Sequence, residues 1–227
     1  MNPHLDFLLS TLYDEHRCDH PAHLADLRKS GLTAETIRRQ KITDVPPGVI
    51  DQLLGFPTPK VTSAYLIPFA DPRGGWMDHV RLKVFPAIET KDGTIRYLQP
   101  RRSGVRIFYP LATLDLVLHS TEPVFLIEGE KKALAVSQLG LPAIGLSGIE
   151  GWHTAGSREL HRDFDDVGLR DRVVQLVPDA DMRTNDAVAR AVQHLVNALA
   201  ARGVAKTQLV LIPSPFKGID DFLVAPS

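Results

Sequence analysis

Pro123-Val124-Phe125-Leu126-Ile127-Glu128-Gly129-Glu130-Lys131-Lys132-Ala133-Leu134-Ala135-Val136-Ser137-Gln138-Leu139 decides the fold. Val124 to Ile127 is an unbroken apolar run, as in a strand buried on both faces of a parallel sheet. It stops at Glu128-Gly129-Glu130, and a helical pattern begins at Lys131. An acid where a buried strand runs out, then glycine, then a helix, is where open α/β sheets build their sites. Further along, a second apolar run, Val173 to Pro178, ends in Asp179-Ala180-Asp181. Two buried strands that both end in acid are the main functional statement of the sequence.

Outward from these two stretches, residues 111–227 alternate between the two patterns. A short helix is predicted over Leu111–His119, then strand 124–127, helix 131–139, strand Ala143–Leu146, helix 155–164, strand 173–178, helix Asp186–Ala201 and strand Gln208–Ile212. Gly140 and Gly203 fall just past predicted helices, where C-terminal caps belong. This order implies a parallel sheet with right-handed crossovers. Glu128, Ser147, Gly148, Asp179 and Asp181 would then gather at the carboxyl ends of its strands.

Residues 61–110 read as a small, mostly antiparallel β module, with strands at Tyr65–Phe69, Val80–Phe85, Ile95–Leu98 and Val105–Tyr109 and turns at Asp71–Gly75 and Lys91-Asp92-Gly93. Alternation puts Arg81 and Lys83 on one face and Leu82 and Val84 on the other. Arg81, Lys83, Arg96, Arg101, Arg102 and Arg106 concentrate positive charge here, which suits a phosphate-bearing ligand. Protection of exposed edge strands would use the same residues. Residues 1–60 read as short helices: His4–Tyr13, His23–Ser30, Thr33–Lys41 with Thr33 as N-cap, and Val49–Leu54. His16, Cys18, His20 and His23 are zinc-capable residue types, but their spacing matches no standard finger, and they read as loop residues.

Composition sets the outer limits. The chain has 227 residues, 44% hydrophobic and 23% charged, enough for a real core in one large domain or two small ones. A formal net charge of -1 gives no global basic field, so any nucleic-acid binding must come from a local patch. The single cysteine, Cys18, excludes an internal disulfide framework. With no signal-like or membrane-spanning stretch, the chain is expected to be soluble and cytoplasmic, with no membrane partner.

In extended backbone, Asp179 and Asp181 would point the same way. Together with Glu128 they would form a hard, oxygen-rich pocket suited to Mg²⁺ or Mn²⁺. Such an ion polarises a phosphoryl oxygen or aligns attacking and leaving oxygens. Taken singly, Asp179-Ala180-Asp181 also reads as capping of the helix that follows, and Glu128 as an exposed loop acid. The sequence has no GxxxxGK[ST] and no GxSxG, which removes P-loop and nucleophile-elbow chemistry.

The Glu128-Gly129 strand end, the Asp179-x-Asp181 strand end and their βα order resemble a Toprim domain, the metal-binding catalytic fold of topoisomerases, bacterial-type primases and some nucleases. Upstream, YLIPFADPRGG, VRLKVFP, RYLQP and RIFYPL resemble the segment before the Toprim core of bacterial DNA primases. EGEKKAL and KGIDDFL resemble Toprim-like proteins of phage, plasmid and integrated mobile-element replication regions, whose lead-in helices are similar to residues 24–42. The likeness covers about residues 60–225.

The resemblance implies a Toprim-like parallel sheet flanked by helices, preceded by a basic α+β module. It implies Glu128, Asp179 and Asp181 as catalytic residues and metal ligands, with Glu130 a further ligand. Arg81, Lys83, Arg101, Arg102, Lys131, Lys132 and Lys217 would meet nucleic-acid or nucleotide phosphate. Lys217, Asp220 and Asp221 form the closing motif. Primases usually carry an acid where this chain has Lys132, and many carry a zinc ribbon that one cysteine cannot supply. The implied activity is primer synthesis by a nucleotidyltransferase from nucleoside triphosphates on single-stranded DNA, beside a replicative helicase. The alternatives are a Toprim nuclease and a non-catalytic accessory module.

Overall fold

The computed structural model describes residues 3–15, 17–91 and 93–226; His16 of the histidine cluster and Asp92 of the predicted turn lie outside them. The chain divides into two compact units. The first comprises residues 1–26 and 33–103, and the second residues 27–32 and 104–227.

In the first unit, helices α1 (Pro3–Glu15), α3 (Ala34–Arg39) and α4 (Pro47–Leu54) accompany an antiparallel sheet in the order β1-β2-β3-β4. Its strands are β1 (Thr43–Val45), β2 (Ser63–Ala70), β3 (Trp76–Thr90) and β4 (Gly93–Leu98). Helix α2 spans Pro21–Lys29. Thr33 caps α3 as its sequence predicts, accepting from Thr36 N at 3.1 Å. Leu82 and Val84 point into a core with Leu9, Leu12, Ile50, Leu53, Leu54 and Leu66, so the period-two reading of β3 is correct there. Two differences stand out. Thr43–Val45, inside the predicted helical region, pairs with β2. Val105–Tyr109, predicted as the last strand of this sheet, belongs to the second unit.

The second unit holds a parallel sheet in the order β6-β5-β7-β8. Its strands are β5 (Val124–Glu128), β6 (Ala143–Leu146), β7 (Val173–Val177) and β8 (Lys206–Leu209). Helices α5 (Leu114–His119), α6 (Glu130–Ser137), α7 (Asp186–Ala201) and α8 (Ile219–Leu223) complete it. Val124, Leu126 and Ile127 are at most 1% exposed, because β5 has a strand on each side and covered faces. The helix predicted at 155–164 is absent: turns precede a short 3-10 helix at Arg162–Asp166. Buried Asp163 shapes this segment by accepting from Arg106 Nε (2.8 Å) and Ile107 N (3.0 Å). Its main-chain carbonyl accepts from the Tyr109 hydroxyl at 2.6 Å. Phe108 and Gly145 exchange two backbone hydrogen bonds (3.0 and 2.8 Å), an isolated antiparallel bridge on β6.

Among the described residues, no helix is long and apolar enough to cross a membrane.

Candidate active site

The register of the parallel sheet brings the acids together. Central strand β5 pairs Ile127 with Val177 of β7 and Glu128 with Leu146 of β6. Glu128 is therefore the last residue of β5, and the Asp179 segment begins where the neighbouring β7 ends. Asp179 N donates to Glu128 Oε2 at 3.4 Å. Gly129 then turns the chain into α6 with φ 108°, backbone that an L side chain rarely adopts. Its N–H donates to Leu146 O at 2.8 Å and extends the ladder past the strand end. The glycine after the glutamate thus has a conformational reason.

Asp179 and Asp181 part company. Asp179 is extended (φ -66°, ψ 156°) and buried, but Asp181 lies in a 3-10 helix, Ala180–Arg183, and is exposed. The parallel orientation expected from extended backbone is lost, because the strand has already ended at Val177. Capping does not explain the acidic pair either. Asn185 caps α7, its Oδ1 accepting from Ala187 N at 3.0 Å and Val188 N at 3.4 Å.

Glu130, a predicted ligand, is 4% exposed and accepts from Ser147 Oγ at 2.6 Å. It ties α6 to the loop after β6. The closing motif reaches the site through its backbone, since Ala180 N donates to Lys217 O at 2.9 Å. The Lys217 side chain is exposed and its charge is felt at Asp179. Asp220 is buried, while Asp221 accepts from Gly218 N at 3.2 Å and starts α8.

The feature that sequence reasoning missed is the partner of Lys132. Its ammonium forms an ion pair with Asp179 Oδ1, and the two side chains are only 20% and 11% exposed. The residues lie far apart in sequence, and only the β5–β7 pairing joins them. The available signal was a lysine one turn into the helix that follows the glutamate.

Electrostatics mark the same atoms. Burial pushes the Glu128 carboxyl above the usual range, and Asp179 adds to this while Lys132 opposes it. Burial also raises Asp179, outweighing the lowering by Lys132 and Lys217. Two neighbouring carboxyls at adjacent strand ends are thus both raised, chiefly by burial.

Among the described residues, no three of the histidine, cysteine, aspartate and glutamate side chains form a group that could hold a metal ion. Glu128 and Asp179 are hard oxygen donors of the right type. As a pair they fit an ion that brings its remaining ligands as water or phosphate, and they do not form a complete cage.

Of the first unit's predicted phosphate-binding residues, Lys83 and Arg81 are engaged within the fold and Arg101 and Arg102 are exposed. Lys83 is 9% exposed, lies 3.5 Å from Asp26 and sits over the Tyr97 ring at 4.7 Å. Arg81 donates to Gln99 Oε1 at 3.3 Å and stacks toward Tyr97. Arg101 and Arg102 are exposed beside a cavity of about 440 Å³ that Gln52, Asp78 and Ser103 also line. In the second unit Lys131 and Lys132 are half-buried, and Arg106 is held by Asp163. In the histidine cluster, His23 is buried between Asp44 Oδ1 (2.5 Å) and Ser63 Oγ (3.0 Å) and stacks on His20.

Together these features define an α/β protein whose parallel sheet presents carboxylates at adjacent strand ends. Residues 114–227 match the family described as a domain of unknown function (DUF3854), and the chain belongs to that family. No curated protein matches it. Among solved structures, the Aquifex aeolicus primase (zinc-binding and RNA polymerase domains) is similar over 96% of this chain and 57% of its own, with TM-score 0.67 and 16% identity. The DnaG catalytic core is similar over 97% of this chain and 74% of its own (TM-score 0.61, 17% identity). The DnaG primase catalytic domain bound to single-stranded DNA is similar over 98% and 76% (TM-score 0.55, 19% identity). This chain thus spans a little over half of the Aquifex chain. The likeness shows that the fold is that of primase catalytic cores.

Proposed function

We propose that this protein is a primase-like nucleotidyltransferase with a Toprim-type catalytic unit, synthesising short primers on single-stranded DNA from nucleoside triphosphates. The observation that carries the reading is the meeting of Glu128 and Asp179 at adjacent strand ends of a primase-type fold. Residues 60–225 resemble proteins of phage, plasmid and mobile-element replication, which supports that setting and a helicase as neighbour in it. In the reaction, a bond forms between the attacking hydroxyl oxygen and the α-phosphorus. The bond to the β,γ-diphosphate breaks, pyrophosphate leaves, and the hydroxyl proton passes to solvent. Glu128 and Asp179 would hold Mg²⁺ or Mn²⁺, with exposed Asp181 beside them, and such an ion would supply neutralisation of charge on the transferred phosphoryl group. Exposed Lys217 is available to phosphate oxygens, as are Arg101 and Arg102 in the first unit.

One gel tests this. The protein is incubated with single-stranded DNA, labelled nucleoside triphosphates and Mg²⁺ or Mn²⁺, beside Glu128→Gln and Asp179→Asn. Labelled products that fall at least about 100-fold in both variants are expected, the scale of losing groups that act on the transition state. Loss of input strand without product would replace synthesis by nuclease action. No metal-dependent change would leave an accessory binding module, a reading favoured by the lysine already resting on Asp179.

A further inference from the structure

Lys132 is fitted into the site beside a glycine, Gly218, of the closing motif. A Cβ on Gly218 would stand 2.6 Å from Lys132 Cε and 3.2 Å from Nζ. Gly218 has φ -124°, open to any residue, so its bare Cα serves space alone. Through this gap the ammonium reaches Asp179 Oδ1, beside Glu128.

A divalent ion arriving alone at Asp179 would have to displace that ammonium. The lysine would then lose its ion pair in a largely buried place, with only the more distant Asp220 carboxylate near it, which is unfavourable. A phosphate-bearing ligand removes the obstacle. It gives the lysine a new anion and gives the ion the oxygen ligands that the two carboxylates do not supply. Every charge stays paired only if ion and phosphate arrive together.

We infer that Lys132 is a placeholder cation, so that the site admits a divalent ion only together with phosphate. The inference rests on the proposed function in taking Glu128 and Asp179 as the ion's ligands. Ion and phosphate then tighten each other's binding by the same factor, as linkage requires.

Binding of Mn²⁺ to the intact protein, followed by calorimetry and by the free-ion electron paramagnetic resonance signal, tests it with inorganic pyrophosphate as the probe. Wild type should bind Mn²⁺ alone weakly, and the preformed Mn²⁺–pyrophosphate complex about tenfold or more tightly than either component. Lys132→Met keeps the length of the side chain and removes its charge. It should bind Mn²⁺ alone about tenfold more tightly than wild type, and the coupling should largely disappear. Gly218→Ala serves as an independent variant, because its methyl would stand nearest the far ends of Lys132 (2.6 Å) and Asp220 (2.7 Å) and so displaces the ammonium without deleting it. It should move in the same direction, and it carries the test if Lys132→Met does not fold. Equal affinity of wild type and both variants for Mn²⁺ alone would overturn the placeholder role while leaving the metal site and the primase reading in place. Failure of all three proteins to bind Mn²⁺ in either condition would remove the metal site with it. Coupling that persists where no labelled product forms would separate the two readings the other way.

Discussion

Asp44 in the first unit and Asp179 in the second each sit beside a nitrogen base, and the fold treats them in opposite ways. Asp44 accepts from His23 Nδ1 at 2.5 Å and from the N–H groups of Asp19 and His20 at 2.7 and 2.8 Å. Burial pushes its carboxyl up, but these bonds outweigh it and hold it below the usual range. Asp179 also has its cation, yet burial wins and the carboxyl is raised, as it is in Glu128. The first arrangement spends an ionised group on holding a loop to a strand. The second places two carboxyls where burial disfavours their charge.

The contrast is sharpest if it belongs to the site and not to the whole second unit, and Arg172 tests this. It is 3% exposed, and its guanidinium donates to Glu122 O and Val117 O at 2.6 Å and to Leu116 O at 3.0 Å. Arg172→Met should cost about 3 kcal/mol in denaturant unfolding, since it orphans buried carbonyls at the end of α5. A loss below about 1 kcal/mol would show that buried charge is tolerated rather than used throughout the unit.

An intermediate effect should appear with pH. Asp44 is depressed, so its contribution is complete above the ordinary carboxylate pKa of about 3.9 and is lost as pH falls through its lower folded value. Glu128 and Asp179 are raised, so the folded second unit binds protons more readily than the unfolded chain. Its stability therefore falls as pH rises from about 4 through their folded values. Segment-resolved hydrogen exchange, corrected for intrinsic rates, should show protection of β5 and β7 declining as pH rises from about 4 to 7, with no such decline in β1 and β2. Loss of protection in both units over the same window would break the comparison.

The smallest effect belongs to Arg202 and Asp165, an ion pair whose side chains are 42% and 54% exposed. Arg202→Ala should change unfolding free energy by no more than about 0.5 kcal/mol, because water and salt screen such pairs. A larger change would mean that exposed charge also holds this unit together.

Local pattern made the parallel sheet readable. Strands 124–127 and 143–146 and the helix over 186–201 were legible because buried β runs and a long amphipathic period depend on neighbours in sequence. The short partners were less so. Thr43–Val45 becomes a strand only by pairing with β2, and Val105–Tyr109 carries a strand pattern but contributes a single bridge to β6. Residues 155–161 look helical but lie in turns, ahead of a segment organised by the buried carboxylate of Asp163. At the site, Glu128 and Asp179 were legible because both end apolar runs. The divergence of Asp181 and the use of Glu130 by Ser147 were not, since each depends on where the backbone turns after the strand. Lys83 read as one of a row of phosphate-binding cations, but a sequence cannot show Asp26 and Tyr97 closing over it.

The two margins of the parallel sheet are finished unequally. At β6 the Phe108 main chain closes part of the edge. At β8 the edge is open and short, opens with Lys206, and has Leu209 46% exposed with Leu211 beyond it at 52%. An unfinished rim of this kind can recruit a strand from another copy, and a short run led by a lysine is a poor template for doing so. Colloidal behaviour is thereby set one strand away from the site: in concentrated solution, adhesion between copies should begin at β8, and Leu209→Lys should suppress it.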